Sequence, residues 1–229
     1  MNTIIGFVAE PLGMLLSFLY GFFDNYGITI IVFTFIVKLC LFPLYADQIK
    51  HSAKMADVQP KMQALQKKYA NDKEMLNIKM MELYKEEKFN PMRGCLPMLI
   101  QMPIIFGLFA LLRNPTHFIE SNTMLMAVHE AFMWIPDLSQ PDPWILPILA
   151  GISTFISFSQ TQKQTAIGEN SMASMMKMMR YFFPVMIVWM GRSFPAGLTI
   201  YWFIGTVIQI FQTMGLNRWK KKLTSKENK

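Results

Sequence analysis

The feature that most limits what this chain can fold into is a set of five stretches almost free of charge, at 27–44, 95–112, 144–160, 181–191 and 198–214. About 17 residues of helix cross the hydrocarbon of a bilayer, and all but 181–191 reach that length. That short stretch is expected to begin its helix in the Met-rich segment before it or to run on toward Phe194. One helix over 181–214 would be about 51 Å long at 1.5 Å per residue, and Pro195 and Gly197 would break it, so a tight hairpin is expected. With 52% hydrophobic and only 16% charged residues, the chain lacks the charge that an ordinary soluble domain carries. The reading is an all-α membrane protein with five transmembrane helices.

Charge sets the expected orientation. Of 22 basic residues, ten fall in 46–94, three in 161–180 and six after Met214. The alternating segments hold Glu10 and Asp24, then Arg113 with Glu120, Glu130, Asp137 and Asp142, then Arg192. This alternation matches five spans with the N-terminus outside and the C-terminus in the cytoplasm. Residues 1–26 are apolar but interrupted at Glu10-Pro11, and are expected as an amphipathic helix lying in the outer interface, with a sixth span as the alternative. The first 37 residues carry no Lys or Arg, so a cleaved secretory signal is not expected. The expected division is then 27–45, 93–112, 144–160, 179–194 and 195–214 as spans, 113–143 and 161–178 as outer and cytosolic loops, and 215–229 as a basic tail.

Residues 46–92 are mostly polar. Met55, Val58, Met62, Leu65 and Tyr69 recur every three or four residues, the mark of a helix with a narrow apolar stripe. Ala70-Asn71-Asp72 offers a turn and an N-cap, after which Leu76, Met80 and Leu83 continue the spacing. An antiparallel cytosolic hairpin is expected, with Pro60 kinking its first arm. Its stripe serves mutual packing of the arms or a docking partner.

The parts of an enzyme are missing from the sequence. His51, His117 and His129 have no ligand spacing, and Cys40 and Cys95 read as inert thiols, so neither metal nor cofactor is expected. No nucleophile elbow, Gly-rich phosphate loop or intramembrane carboxylate pair occurs. What stands out is Lys38, the one charge inside the five stretches, with Thr34 a turn before it on the same face. About 9 Å of helix separates it from Leu44, which strains a snorkelling lysine. An intramembrane cation costs several kcal/mol and normally faces a bundle interior or water. Gln101, Ser153, Thr154, Ser157 and Gln209 are candidates to wall such a wet groove, and no acid in any span offers Lys38 a fixed counter-charge.

The string Asn90-Pro91-Met92-Arg93-Gly94-Cys95-Leu96-Pro97-Met98-Leu99-Ile100-Gln101-Met102-Pro103 closely resembles the start of the second core helix in the YidC/Oxa/Alb family of membrane-protein insertases. Thr34-Phe35-Ile36-Val37-Lys38 with Phe42-Pro43-Leu44 is similar to the family's first core helix. Gln59-Pro60-Lys61 resembles its hairpin, and Phe194-Pro195-Ala196-Gly197-Leu198 with Tyr201-Trp202 its last helix. The resemblance implies a five-helix core around a hydrophilic groove open to cytosol and lipid and closed to the outside. It also implies that the basic residue of the first helix, usually arginine and here Lys38, receives polar or acidic parts of an entering chain. Lysine keeps the charge but lacks the planar five-donor fork, so bidentate capture of a carboxylate is weaker. Thr34 and Gln101 match groove positions, and Tyr201 with Trp202 a substrate-contacting aromatic pair.

The expected function is that of an insertase and chaperone of the bacterial cell membrane. Its partners are nascent membrane proteins and lipids, with a ribosome and a larger translocon as further candidates and no DNA. With no nucleotide site, the driving force is burial of the client's apolar helix in lipid, aided by the membrane potential for acidic tails. Met172, Met175, Met176, Met178 and Met179 suit contact with varied apolar helices or packing of their own loop. The tail from Asn217 suits rRNA or anionic headgroups. A small anion transporter or channel using Lys38 as counter-ion is the rival, and a structural assembly factor a third reading; the missing inverted repeat and the large hairpin weigh against transport.

Overall fold

The computed structural model describes residues 2–88, 90, 96–113, 122–164 and 171–227. Cys95, His117 and residues 91–95 of the Asn90 string lie outside them, as do the side chains of Met55, Met172, Met175 and Met176. Among the described residues the chain forms nine helices: α1 Asn2–Phe23, α2 Tyr26–Cys40, α3 Phe42–Lys68, α4 Lys73–Glu86, α5 Leu96–Arg113, α6 Asn122–Ala127, α7 Ile145–Gln164, α8 Ser171–Gly191 and α9 Ala196–Glu227. The core lies between α1, α2, α5 and α9, where Leu16, Tyr26, Ile30, Phe33, Leu108 and Tyr201 are almost fully buried. α7 packs on α8 and α9 to complete the bundle.

The expected single helix over 27–45 is broken. α2 ends at Cys40, Leu41 caps it at φ −84° and ψ −4°, and α3 starts at Phe42. The two helices meet with a bend of 55°. Pro43 explains the break: it has no N–H for the carbonyl four residues back, and its ring clashes with that carbonyl. At the second position of a new helix the same proline costs nothing, because the first N–H groups of a helix have no partner there. α3 then runs unbroken to Lys68, with Pro60 inside it.

The hairpin follows the stripe. Asp72 caps α4 by accepting the Met75 N–H at 2.9 Å. Val58 and Met62 of α3 bury against Leu83 of α4, with Leu65, Met80 and Tyr84 beside them, so the stripe is used for packing between the arms. Lys61 adds an ion pair to Glu87 across the two arms.

Three other expectations shift. Residues 1–26 hold one helix that continues through Glu10-Pro11, buries Ala9, Leu16 and Leu19, and exposes Phe7, Met14, Phe18 and Phe22. Its outward face is therefore apolar. Within a single described helix, only Gly6–Phe23 is long and apolar enough to cross a membrane by length and composition, while 101–113, 145–161 and 178–191 are shorter. Much of the expected cytosolic loop 161–178 is helical, α7 extending to Gln164 and α8 starting at Ser171. The expected tail continues α9 as far as Glu227, since neither proline nor an N-capping turn intervenes.

The outer segment is ordered around buried Val128, Ile135 and Leu138. Glu130 accepts hydrogen bonds from the Tyr20 hydroxyl and, at 2.7 Å, from the Tyr26 N–H. This fastens the segment to the α1–α2 turn, where Asp24 adopts a left-handed φ of 46°. The carbonyls of Gln140 and Leu138 accept the Ala196 and Gly197 N–H groups at 2.9 and 3.0 Å. They satisfy the first orphan donors of α9 and tie its start to the segment after α6.

Candidate functional site: a polar cavity around Lys38

Lys38 stands two residues before the end of α2, and its ammonium donates to Gln101 Oε1 of α5 at 3.1 Å. Gln101 Nε2 in turn donates to the Tyr201 hydroxyl of α9 at 2.7 Å. One glutamine thus joins three helices, and the chain Lys38 to Gln101 to Tyr201 leads from a cavity into the core, where Tyr201 is 1% exposed. Phe33 tilts against the Tyr201 ring with centroids 6.2 Å apart.

The cavity measures about 310 Å³. Gln101, Thr154, Ser157, Trp202 and Gln209 line it beside Lys38, with Met102, Phe158, Met179 and Phe183 supplying apolar wall. Trp202 Nε1 donates to Thr154 Oγ1 at 3.0 Å, and Thr154 donates to the Ala150 carbonyl at 2.6 Å. These two bonds set the indole as a fixed partition between α7 and α9. Ile30, Phe33, Leu108 and Tyr201 are buried in the core and do not line the cavity.

Not every expected residue reaches the cavity. Thr34 is fully buried and bonds the Ile30 carbonyl at 2.6 Å. Ser153 is 4% exposed and bonds the Ala150 carbonyl at 3.0 Å. Both satisfy their hydroxyls on their own helix, as Ser and Thr do in apolar helix interiors. Tyr201 touches the site only through Gln101. The structure adds Tyr45, Gln48, Thr206 and Gln212 to the lining. Thr206 and Gln212 share a helix face with Trp202 and Gln209, so the periodicity of α9 held that signal. Tyr45 closes the expected first span and Gln48 opens the polar insert, and both line the cavity from α3, beyond the bend at Leu41. Gln212 Nε2 meets the Lys38 carbonyl at 3.5 Å, and the Tyr45 and Thr213 hydroxyls lie 2.6 Å apart. These contacts hold the broken corner to α9.

Among the described residues α5 packs mainly on α1, α9 and α3, with little packing on α7 or α8. Among the described residues no group of three or more His, Cys, Asp or Glu side chains gathers in a way that holds a metal. Cys40 is a free, exposed thiol.

Comparison with known proteins assigns this architecture. The sequence pattern of the family described as 60Kd inner membrane protein matches residues 18–224. The chain belongs to the 60Kd inner membrane protein family. Relatives in it named membrane protein insertase YidC include one from Fusobacterium nucleatum, 38% identical over 213 residues that cover 93% of this chain and 96% of the relative. Those from Citrifermentans bemidjiense and Haemophilus influenzae are each 40% identical and cover 93% and 94% of this chain. The chain spans only 37% and 38% of the length of these two longer relatives. A crystal structure described as an active YidC insertase with its first transmembrane domain resolved is similar with a TM-score of 0.64 and 27% identity, over 90% of this chain and 45% of that one. The all-helical fold is thus that of a YidC insertase, and the family resemblance read from the Lys38, Gln101 and Tyr201-Trp202 segments is correct.

Proposed function

We propose that the protein is a membrane-protein insertase in which the cavity around Lys38 receives a short polar segment of a client while the client's apolar helix passes to lipid between α5 and α7–α8. The observation that carries this reading is the position of the Lys38 ammonium. It faces a cavity lined by Gln101, Thr154, Ser157, Thr206, Gln209 and Gln212 among apolar side chains, and its hydrogen bond there goes to the neutral Gln101. A carboxylate about 4 Å from that ammonium gains about 4 kcal/mol at an effective dielectric of 20, against about 1 kcal/mol in water. That gain offsets a substantial part of the cost of carrying an acidic segment partway into hydrocarbon. Thr206, Gln209 and Gln212 offer further polar contacts along α9, and Trp202 and Met179 offer surfaces tolerant of varied apolar side chains.

The membrane arrangement belongs to the same proposal: N-terminus outside, C-terminus and the α3–α4 hairpin in the cytoplasm, five core spans, and α1 along the outer interface. Support for the last point comes from Gly107, whose nearest neighbours are Val8, Ala9 and Leu12 of α1. Gly107 belongs to the half of α5 that leads away from Gln101. The driving force is transfer of the client helix into lipid, with no nucleotide consumed.

Reconstitution into liposomes tests the reading. A short single-span client with an acidic translocated tail should insert several-fold faster with the protein than without it. Lys38→Ala should slow the acidic client more than a neutral one, and Lys38→Arg should preserve insertion. No acceleration of either client, together with passage of small anions, would replace the insertase by an anion channel.

A further inference from the structure

Gly205 lies on α9, buried, directly across from Lys38. A β-carbon at this position would stand 2.8 Å from Lys38 Cε, 3.6 Å from Lys38 Nζ and 3.5 Å from Thr34 Cγ2. The first distance is shorter than real carbon contacts allow, whereas the other two need little or no adjustment. The one neighbour that is too close is thus near the far end of a flexible side chain, Thr34 Cγ2 stands at ordinary contact distance, and the backbone of α2 is not among the nearest atoms. A methyl group at 205 therefore displaces the lysine and leaves the helices in place. From its present position the ammonium reaches Gln101 Oε1 at 3.1 Å, and the displaced side chain loses that reach and swings into the cavity.

The geometry points to Gly205 as the positioning residue that fixes where the intramembrane cation rests. Its missing side chain provides the slot in which the lysine stem lies against α9, and Gln101 holds the end of that stem. The flexible, unbranched lysine stem fits such a slot. The functional consequence, that a correctly placed ammonium discriminates acidic from neutral clients, rests on the proposed insertase role.

The test separates position from function. Full-length protein in liposomes is treated with a water-soluble amine-acylating ester, and the modification rate of Lys38 is read by mass spectrometry. Gly205→Ala and Gly205→Ser should each raise that rate at least threefold, since the amine leaves Gln101 for the cavity. Equal rates in the variants and the parent would overturn the proposal. Thermal unfolding supplies the control for simple misfolding. In a Lys38→Ala background the obstructed atoms are gone, so adding Gly205→Ala should leave Tm unchanged; a large loss of Tm or failure to fold there would show that the glycine serves helix packing, which also overturns it. In insertion assays Gly205→Ala should lower the preference for acidic over neutral clients toward that of Lys38→Ala. If the parent itself shows no such preference, the insertase reading of Lys38 fails while the acylation result still decides the position.

Discussion

Replacing Gln101 with alanine removes two bonds whose costs differ in origin. The bond from the Lys38 ammonium, at 3.1 Å, is charge-assisted and contributes about 1.5–3 kcal/mol when no substitute is at hand. The bond to Tyr201, at 2.7 Å, is neutral, and hydrogen bonds of this kind within membrane proteins average about 0.6 kcal/mol. Together Gln101→Ala should destabilise the fold by about 2–3 kcal/mol. Water entering the cavity can replace part of the first contribution, because Lys38 lines that cavity. It cannot easily replace the second, because Tyr201 is 1% exposed within the core. The decisive measurement is therefore a double-mutant cycle of Gln101→Ala with Tyr201→Phe, followed by reversible unfolding in mixed detergent micelles. The double variant should cost about 0.6–1 kcal/mol less than the sum of the singles. Additivity within about 0.3 kcal/mol, the scatter of uncoupled sites, would mean that the Gln101–Tyr201 bond does not hold α5 to α9.

Gly151 faces Val188 so closely that a β-carbon would lie 2.4 Å from Val188 Cγ2 and 3.2 Å from the Pro184 carbonyl. Gly151→Ala should overpack the α7–α8 seam by about 1–3 kcal/mol, visible as a lower midpoint of unfolding. Glu130→Ala removes the acceptor of both the Tyr20 hydroxyl and the Tyr26 N–H. At about 1.5 kcal/mol per bond to a charged acceptor, it should speed amide exchange across residues 122–142 well before α7–α9 respond. Burial pushes the Asp137 carboxyl up, but the Ser139 hydroxyl and N–H with His129 outweigh it and hold it below its usual value. A carboxyl lowered on folding stabilises the fold above the ordinary carboxylate pKa and loses that contribution as pH falls through its depressed value. Exchange protection at Asp137–Ser139 should accordingly fall in acid, and Asp137→Asn should abolish that pH dependence while lowering protection at neutral pH.

The residues that the sequence revealed best are those at odds with their surroundings. Lys38, Gln101, Ser157 and Gln209 each interrupt an apolar run, and all four line the cavity. Ser153 interrupts its run in the same way, yet its hydroxyl is absorbed by the Ala150 carbonyl. A hydroxyl can satisfy itself on its own helix, whereas an ammonium or a carboxamide cannot, so the larger polar groups are the better guides. Gly205 gave no signal, because a glycine in a membrane helix is ordinary and its meaning lies in the neighbour across the gap. Tyr45 and Gln48 were hidden for other reasons. Gln48 belongs to a segment polar enough to be assigned outside the membrane, while Tyr45 ends the expected first span without standing out from it, and both line the cavity from beyond the turn at Leu41.

That turn links the cavity to the α3–α4 hairpin. Breaking at Leu41, with Pro43 in the first turn of the new helix, redirects the chain by 55° while keeping helical hydrogen bonding on both sides. The new helix is 27 residues long, about 40 Å at 1.5 Å per residue. It runs as one continuous helix from the cavity wall at Tyr45 and Gln48 to the end of the hairpin's first arm. Its root is pinned to α9 by the Tyr45–Thr213 pair and by Gln212 at the Lys38 carbonyl. Lys38 is three residues from this corner, so the contacts that seat the root of α3 on α9 also seat the helix end that carries the cation.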